Sequence, residues 1–224
     1  MRKQRRHKQN GIKDRADYIS NLPDCILHHI LSCIPTKEAV KTSVLSPRWK
    51  NLWASVPNLD INATEVHGWN PPKPTSFMNF LERVLHSHGE SNIKKFCLTC
   101  TGRNEKSQVH SWISDAINHN LQELELTIYQ GVPSMTPLSI LDSTSLVSLK
   151  ISTSYIDKLP SCFSLPCLKS LLLQFAKFSN DGEVQKLLLG FSVLEELVLV
   201  DILSNLKNIV ISNSTLKRLT IHDK

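Results

Sequence analysis

The pattern LxxLxL returns along the chain between residue 93 and residue 221. It stands at Leu121-Leu124-Leu126, Leu146-Leu149-Ile151, Leu168-Leu171-Leu173, Leu194-Leu197-Leu199 and Leu216-Leu219-Ile221, with a weaker copy at Ile93-Phe96-Leu98. Successive starts lie 28, 25, 22, 26 and 22 residues apart. One copy would carry little weight, but six in phase restrict the fold severely. A unit of that length cannot bury its apolar face alone and must stack on its neighbours. The spacing therefore predicts a solenoid of parallel strands.

Strand alternation then assigns faces. The fourth and sixth motif positions point into the core, and the residues between them line the open face of the sheet. That face carries Glu123, Glu125 and Thr127, then Ser148, Lys150 and Ser152, then Ser170, Leu172 and Gln174, then Glu196, Val198 and Val200, with Arg218 and Thr220 last. Glu123, Glu125, Lys150, Leu172, Glu196, Val198 and Val200 are the candidate partner-binding residues. Leu172, Val198 and Val200 are apolar where water is expected, so either a bound partner or an overlying loop covers them. The sequence stops three residues after Ile221, with nothing that reads as a cap for the last repeat. The expectation is an incomplete and marginally stable array, most open to proteolysis from Leu194 onward.

The front of the chain follows a helical period instead. Leu22, Ile26, Ile30 and Ile34 recur every four residues, with Leu27 and Leu31 beside them. Pro23 and Asp24 suit a first helical turn, and Pro35 ends the helix. Thr36 reads as the N-cap of a second helix carrying Ala39, Val40 and Val44. Ser46-Pro47 opens a third, with Trp49, Leu52 and Trp53 on one face. So small a unit buries too little surface to stand alone, and its apolar excess must meet either the rest of the chain or a partner. After an irregular connector (GWNPPKP, 68–74), Phe77, Phe80, Leu81, Val84 and Leu85 form a helical stripe capped by Ser76 and closed by Gly89. Val109, Trp112, Ile113, Ala116 and Ile117 form another, ending at Asn118–Asn120.

These front-end residues resemble the F-box of plant F-box/leucine-rich-repeat proteins. The resemblance rests on Leu22-Pro23-Asp24, the Ile-Leu pairs at 26–27 and 30–31, Pro35-Thr36, Ala39-Val40, Thr42 to Ser46 and Arg48-Trp49. The repeats are similar to those of the same family, most visibly in WISDAINHNLQELEL, although the asparagine that closes many such repeats is absent at every strand end. The resemblance implies an α+β chain: a three-helix F-box over 17–60, a connector and helix over 61–92, and an irregular leucine-rich-repeat solenoid, parallel strands in a curved sheet, over 93–224. It implies no cofactor, a Skp-type adaptor as partner, through it the cullin of an SCF ubiquitin ligase, and a target protein held on the repeats. Leu22, Pro23, Ile26, Leu27, Ile30, Leu31, Val44, Leu45 and Trp49 would form the adaptor-facing or module-core set, the two roles unsorted. Cys25, Cys33 and Pro47 depart from the family pattern. Cys33 stands where Phe is frequent, so a loss of core volume worth about 1 kcal/mol is expected there.

Charge adds information about location. The first fifteen residues hold seven Lys/Arg and one Asp, whereas residues 16–224 balance to zero. The excess is thus a tail (1–16), whose RKQRRHK reads as a nuclear-import patch or as a solvated arm; the expected location is the nucleus, the cytoplasm or both. A near-balanced helical segment speaks against the nucleic-acid-binding alternative, and a repeat scaffold without a ligase role is the other. No apolar run approaches the about 18 residues of a membrane helix. The sequence has no GxSxG, HExxH or GxxxxGK motif and reads as non-catalytic. His28-His29 and His86 with His88 read as surface histidines. Cys97 and Cys100 have metal-ligand spacing, but strand alternation makes their thiols diverge.

Overall fold

The computed structural model describes residues 17–63, 74–89, 91–101, 106–129, 140, 142–153, 164–175, 185, 188–202 and 213–222. The basic tail and most of the 68–74 connector lie outside these residues.

Helix α1 spans Asp24–Ser32. Pro23 takes the N-cap place, and Asp24 sets a carboxylate in the first turn against the helix dipole. Successive residues on a helix are about 100° apart, so the apolar stripe read from the sequence divides in two. Leu27 and Leu31 are fully buried; Ile26 and Ile30 are exposed. Helix α2 spans Thr36–Lys41. Thr36 is not its cap: Pro35 holds that place. The Thr36 hydroxyl instead accepts a hydrogen bond from the backbone N–H of Asp60 at 2.8 Å.

The expected third α-helix is absent from this segment. In its place are single 3-10 turns at Thr42–Val44, Pro47–Lys50 and Leu52–Ser55. Asn51, at φ −121°, lies outside the helical region and cuts the hydrogen-bond ladder between the last two. Pro47 sits at the first position of its turn as expected, but the Ser46 side chain makes no capping bond. Leu27, Leu31, Ala39, Trp49 and Val56 form a small core, distinct from the main one. Val40 and Trp53 also pack on the main core. The front end therefore covers one side of itself with the rest of the chain. Cys33 is exposed at the end of α1, so its small side chain opens no cavity.

Among the described residues, seven parallel strands form one sheet in sequence order. They are β1 (Asn58–Asn62), β2 (Lys95–Thr101), β3 (Glu123–Tyr129), β4 (Ser148–Thr153), β5 (Ser170–Gln174), β6 (Glu196–Val200) and β7 (Arg218–His222). The six repeats account for β2 to β7. β1 carries only Leu59 and Ile61 as its buried pair, without the motif, and straddles residues 60 and 61, where the front end was expected to stop. The fourth and sixth motif positions from β3 to β6 are no more than 4 % exposed. Leu121, Leu146, Leu168 and Leu194, which open those motifs, are completely buried.

Helices α3 (Pro74–Ser87) and α4 (Lys106–Asn118) cover part of the core side. Ser76, expected as the cap, lies inside α3. Gly89 and Asn120, at φ 55° and 60°, sit just past the ends of α3 and α4, as left-handed residues do where helices stop. Phe77 of α3 meets Trp112 of α4 edge to face, ring centres 5.9 Å apart. On β7, by contrast, Leu219 and Ile221 are 45 % and 50 % exposed; among the described residues this strand stands at the edge of the sheet, paired with β6 alone. Amides of β7 are expected to exchange with solvent faster than those of β3 to β5; equal protection in native-state hydrogen exchange would contradict that.

Candidate interaction surfaces

The front end presents an apolar face. Leu27, Leu31 and Trp49 are interior, Leu22 is half-buried, and Pro23, Ile26, Ile30, Val44 and Leu45 are exposed. Val44 and Leu45 reach 87 % and 64 % exposure. Local hydroxyls hold the turn that carries them. Thr42 donates to the carbonyl of Ala39 at 2.6 Å, and Ser43 donates to that of Lys50 at 3.2 Å. The Leu45 N–H donates to the carbonyl of Thr42 at 2.9 Å, and the Val44 and Leu45 side chains project into water.

Two further residues belong to the exposed apolar set: Tyr18 and Ile19. Both precede α1 and were not among the candidate residues, although Ile19 opens the helical spacing that continues through Leu22 and Ile26. Their turn is pinned from a distance. Arg48 donates to the carbonyl of Ser20, to that of Leu22 at 2.6 Å and to the Asp24 carboxylate at 2.6 Å. The Trp49 indole donates to the Ser20 hydroxyl at 2.7 Å. The Arg48 hydrogen bond holds the Asp24 carboxyl below its ordinary pKa.

The second surface is the open face of the sheet. Register places Glu123, Ser148, Ser170, Glu196 and Arg218 in one lateral row. Asp60, Cys97, Glu125, Lys150, Leu172, Val198 and Thr220 form a second row. Thr127, Ser152, Gln174, Val200 and His222 form a third. All seven candidate residues thus share one face.

Its charges compensate one another. Glu125 lies between Lys95 at 3.9 Å and Lys150 at 3.8 Å. Glu196 accepts from Arg218 at 3.0 Å and from Ser170 at 3.2 Å, and the Arg218 bond in particular lowers its pKa. Leu172 and Val198 are lateral neighbours, with Val200 beside Gln174 in the next row. All three are half-buried, less open than the sequence suggested.

The cysteines diverge as strand geometry requires. Cys97 faces the open side, with its Sγ 3.8 Å from Glu125; Cys100 is in the core. Burial pushes their thiols up to about 11 and about 12. Among the described residues, no group of three or more His, Cys, Asp or Glu is placed to hold a metal ion. With the thiolate as the reacting form, a maleimide at pH 8 is expected to label the exposed Cys25, Cys33 and Cys167 before Cys97 and Cys100; mass spectrometry of partially labelled protein checks the order. His88 corrects the expectation of a surface histidine. It is 2 % exposed, with Nε2 at 2.9 Å from the carbonyl oxygen of Val56, and so joins the end of α3 to the front end.

A model of the F-box domain matches residues 19–60, and a model of the LRR repeats of FBD-associated F-box protein At5g56370 matches residues 109–224. The chain belongs to the plant F-box/leucine-rich-repeat family. Its relatives in Arabidopsis thaliana include F-box protein At3g59000, 40 % identical over 217 residues, covering 92 % of this chain and 44 % of that protein. F-box/FBD/LRR-repeat protein At1g51370 is 33 % identical over 213 residues, covering 95 % of this chain and 47 % of that one. This F-box/LRR chain spans about half the length of such relatives, from 40 % to 55 %.

Proposed function

We propose that this chain is a target-recruiting subunit of an SCF-type ubiquitin ligase. The F-box docks a Skp-type adaptor, and through it a cullin, while the repeats, read as an irregular leucine-rich-repeat solenoid, hold a target protein. The observation that supports it most is the division of apolar side chains within residues 18–49. Leu27, Leu31 and Trp49 close the small core, whereas Pro23, Ile26, Ile30, Val44 and Leu45 face solvent. Exposed apolar side chains on a folded module are what a protein-binding surface requires.

In this reading the chain performs no chemistry itself. Ubiquitin transfer to a target lysine belongs to other subunits, and this chain supplies proximity by holding target and ligase together. On the sheet face, Leu172, Val198 and Val200 would anchor the target, and Glu123, Glu125, Lys150 and Glu196 would set its register. The basic tail would direct the chain to the nucleus, with a cytoplasmic pool as well.

The test is co-purification. The full chain mixed with a purified Skp-type adaptor and cullin is expected to elute as one complex. A folded chain that elutes apart from the adaptor would overturn the ligase reading and leave a repeat scaffold.

A further inference from the structure

Two strands bound the sheet, and among the described residues their outer edges differ. Beside β1, the Pro57 carbonyl and the Ala63 N–H bond toward β2, so the backbone groups of Asp60 face away from it. The outward N–H of Asp60 is taken by the Thr36 hydroxyl of α2 at 2.8 Å. On β7, the Arg218 N–H and the His222 carbonyl bond toward β6. Backbone direction alternates along a strand, so the N–H and C=O groups of Leu219 and Ile221 point out of the sheet. Among the described residues β7 pairs with β6 alone.

We infer that β7 docks the β7 of a second copy of this chain, antiparallel, about a two-fold axis at Thr220. The strand is complementary to itself in that register. Leu219 lies opposite Ile221 of the second copy, and Ile221 lies opposite its Leu219. All of these residues turn N–H and C=O outward, so each pair exchanges both hydrogen bonds. A slip of one residue would set outward groups against inward ones.

The axis stands normal to the sheet, so the core sides of the two copies coincide. Leu219 and Ile221 are both on that side, where their counterparts on β6, Leu197 and Leu199, are buried. Half-exposed in the single chain, they cover one another across the axis as aliphatic cross-strand pairs.

Sheet edges are ordinarily guarded by charge. Here the cations are turned back onto the neighbouring repeat, Lys217 to Glu195 at 2.9 Å and Arg218 to Glu196 at 3.0 Å. Arg218 therefore meets His222 of the second copy with its own charge already compensated. Because α2 occupies the β1 edge, copies cannot continue head to tail, and association closes at a dimer.

Sedimentation velocity of the full chain tests this. From about 1 to about 200 µM, wild type is expected to pass from the monomer to twice its mass, as a small interface does by mass action. Thr220→Lys sets like charges across the axis on the open face and leaves the core side untouched. It is expected to weaken the dimer at least about tenfold, with the melting point of the dilute chain unchanged. Mixing it with Thr220→Glu sets opposite charges at the axis and is expected to restore association to within about threefold of wild type. In wild type, the Leu219 and Ile221 amides are expected to gain hydrogen-exchange protection with concentration; the faster exchange of β7 belongs to the dilute single chain.

A wild-type chain that stays monomeric over that range overturns the inference. So does a dimer that Thr220→Lys leaves at wild-type strength, or a mixture no stronger than Thr220→Lys alone. Exchange at Leu219 and Ile221 that ignores concentration places the contact elsewhere and overturns it as well, with no variant needed.

Discussion

A chain carrying Ile30→Asp or Val44→Asp is expected to lose adaptor capture by more than about a hundredfold while melting within a few degrees of wild type. Truncation at the centre of a protein interface costs about 2–4 kcal/mol, and a carboxylate buried there without a partner adds to that. In the free chain neither position is buried, Ile30 at 40 % exposure and Val44 at 87 %, so the charge meets water and the fold is spared. Leu27→Ala is the control. Its side chain is fully buried, and its removal is expected to cost about 2–5 kcal/mol of stability. Adaptor titrations alongside thermal melts separate the two cases. A melting point lowered as far by Val44→Asp as by Leu27→Ala would show that Val44 belongs to the core.

Trp112→Ala is expected to cause the largest loss of stability of any single truncation in the repeat body, about 3–5 kcal/mol. Trp112 is 1 % exposed, is the largest fully buried side chain among the described residues and sits edge to face with Phe77. An aromatic pair of that geometry adds about 0.5–1.5 kcal/mol beyond the area it buries. Domain stabilities of about 5–15 kcal/mol leave little reserve after such a loss. Urea unfolding measures it. A cost below about 1 kcal/mol would mean that α4 is not an integral part of the sheet's core.

Strands β3 to β6 were legible in the sequence because LxxLxL states both the strand and the buried face. Sequence period carried less information where burial is shared between two surfaces. The four-residue spacing of Leu22, Ile26 and Ile30 established a helix. Which side of that helix meets the core depends on Trp49 and Val56, residues brought in by the tertiary fold. The third F-box helix failed for a local reason, since Asn51 interrupts a segment whose Trp and Leu spacing still looks helical. β1 was unreadable because two apolar residues in five make no pattern. His88 gave no local signal either, since it acts on the Val56 carbonyl 32 residues away; Arg48 was legible as part of the F-box-like Arg48-Trp49 pair, but its bonds to the carbonyls of Ser20 and Leu22 were not.

On the sheet face, the registered strands set a ruler. Neighbouring strands lie about 4.8 Å apart, so each lateral row offers one side chain at that interval, as in Glu125, Lys150, Leu172, Val198. An extended polypeptide laid along the row repeats a face only every second residue, about 6.6–6.8 Å, and falls out of step within two strands. A helix advances about 5.4 Å per turn, close to one turn per strand. The spacing thus favours a helical segment lying across the strands, one of whose turns would seat an aliphatic side chain at Leu172 and the next at Val198.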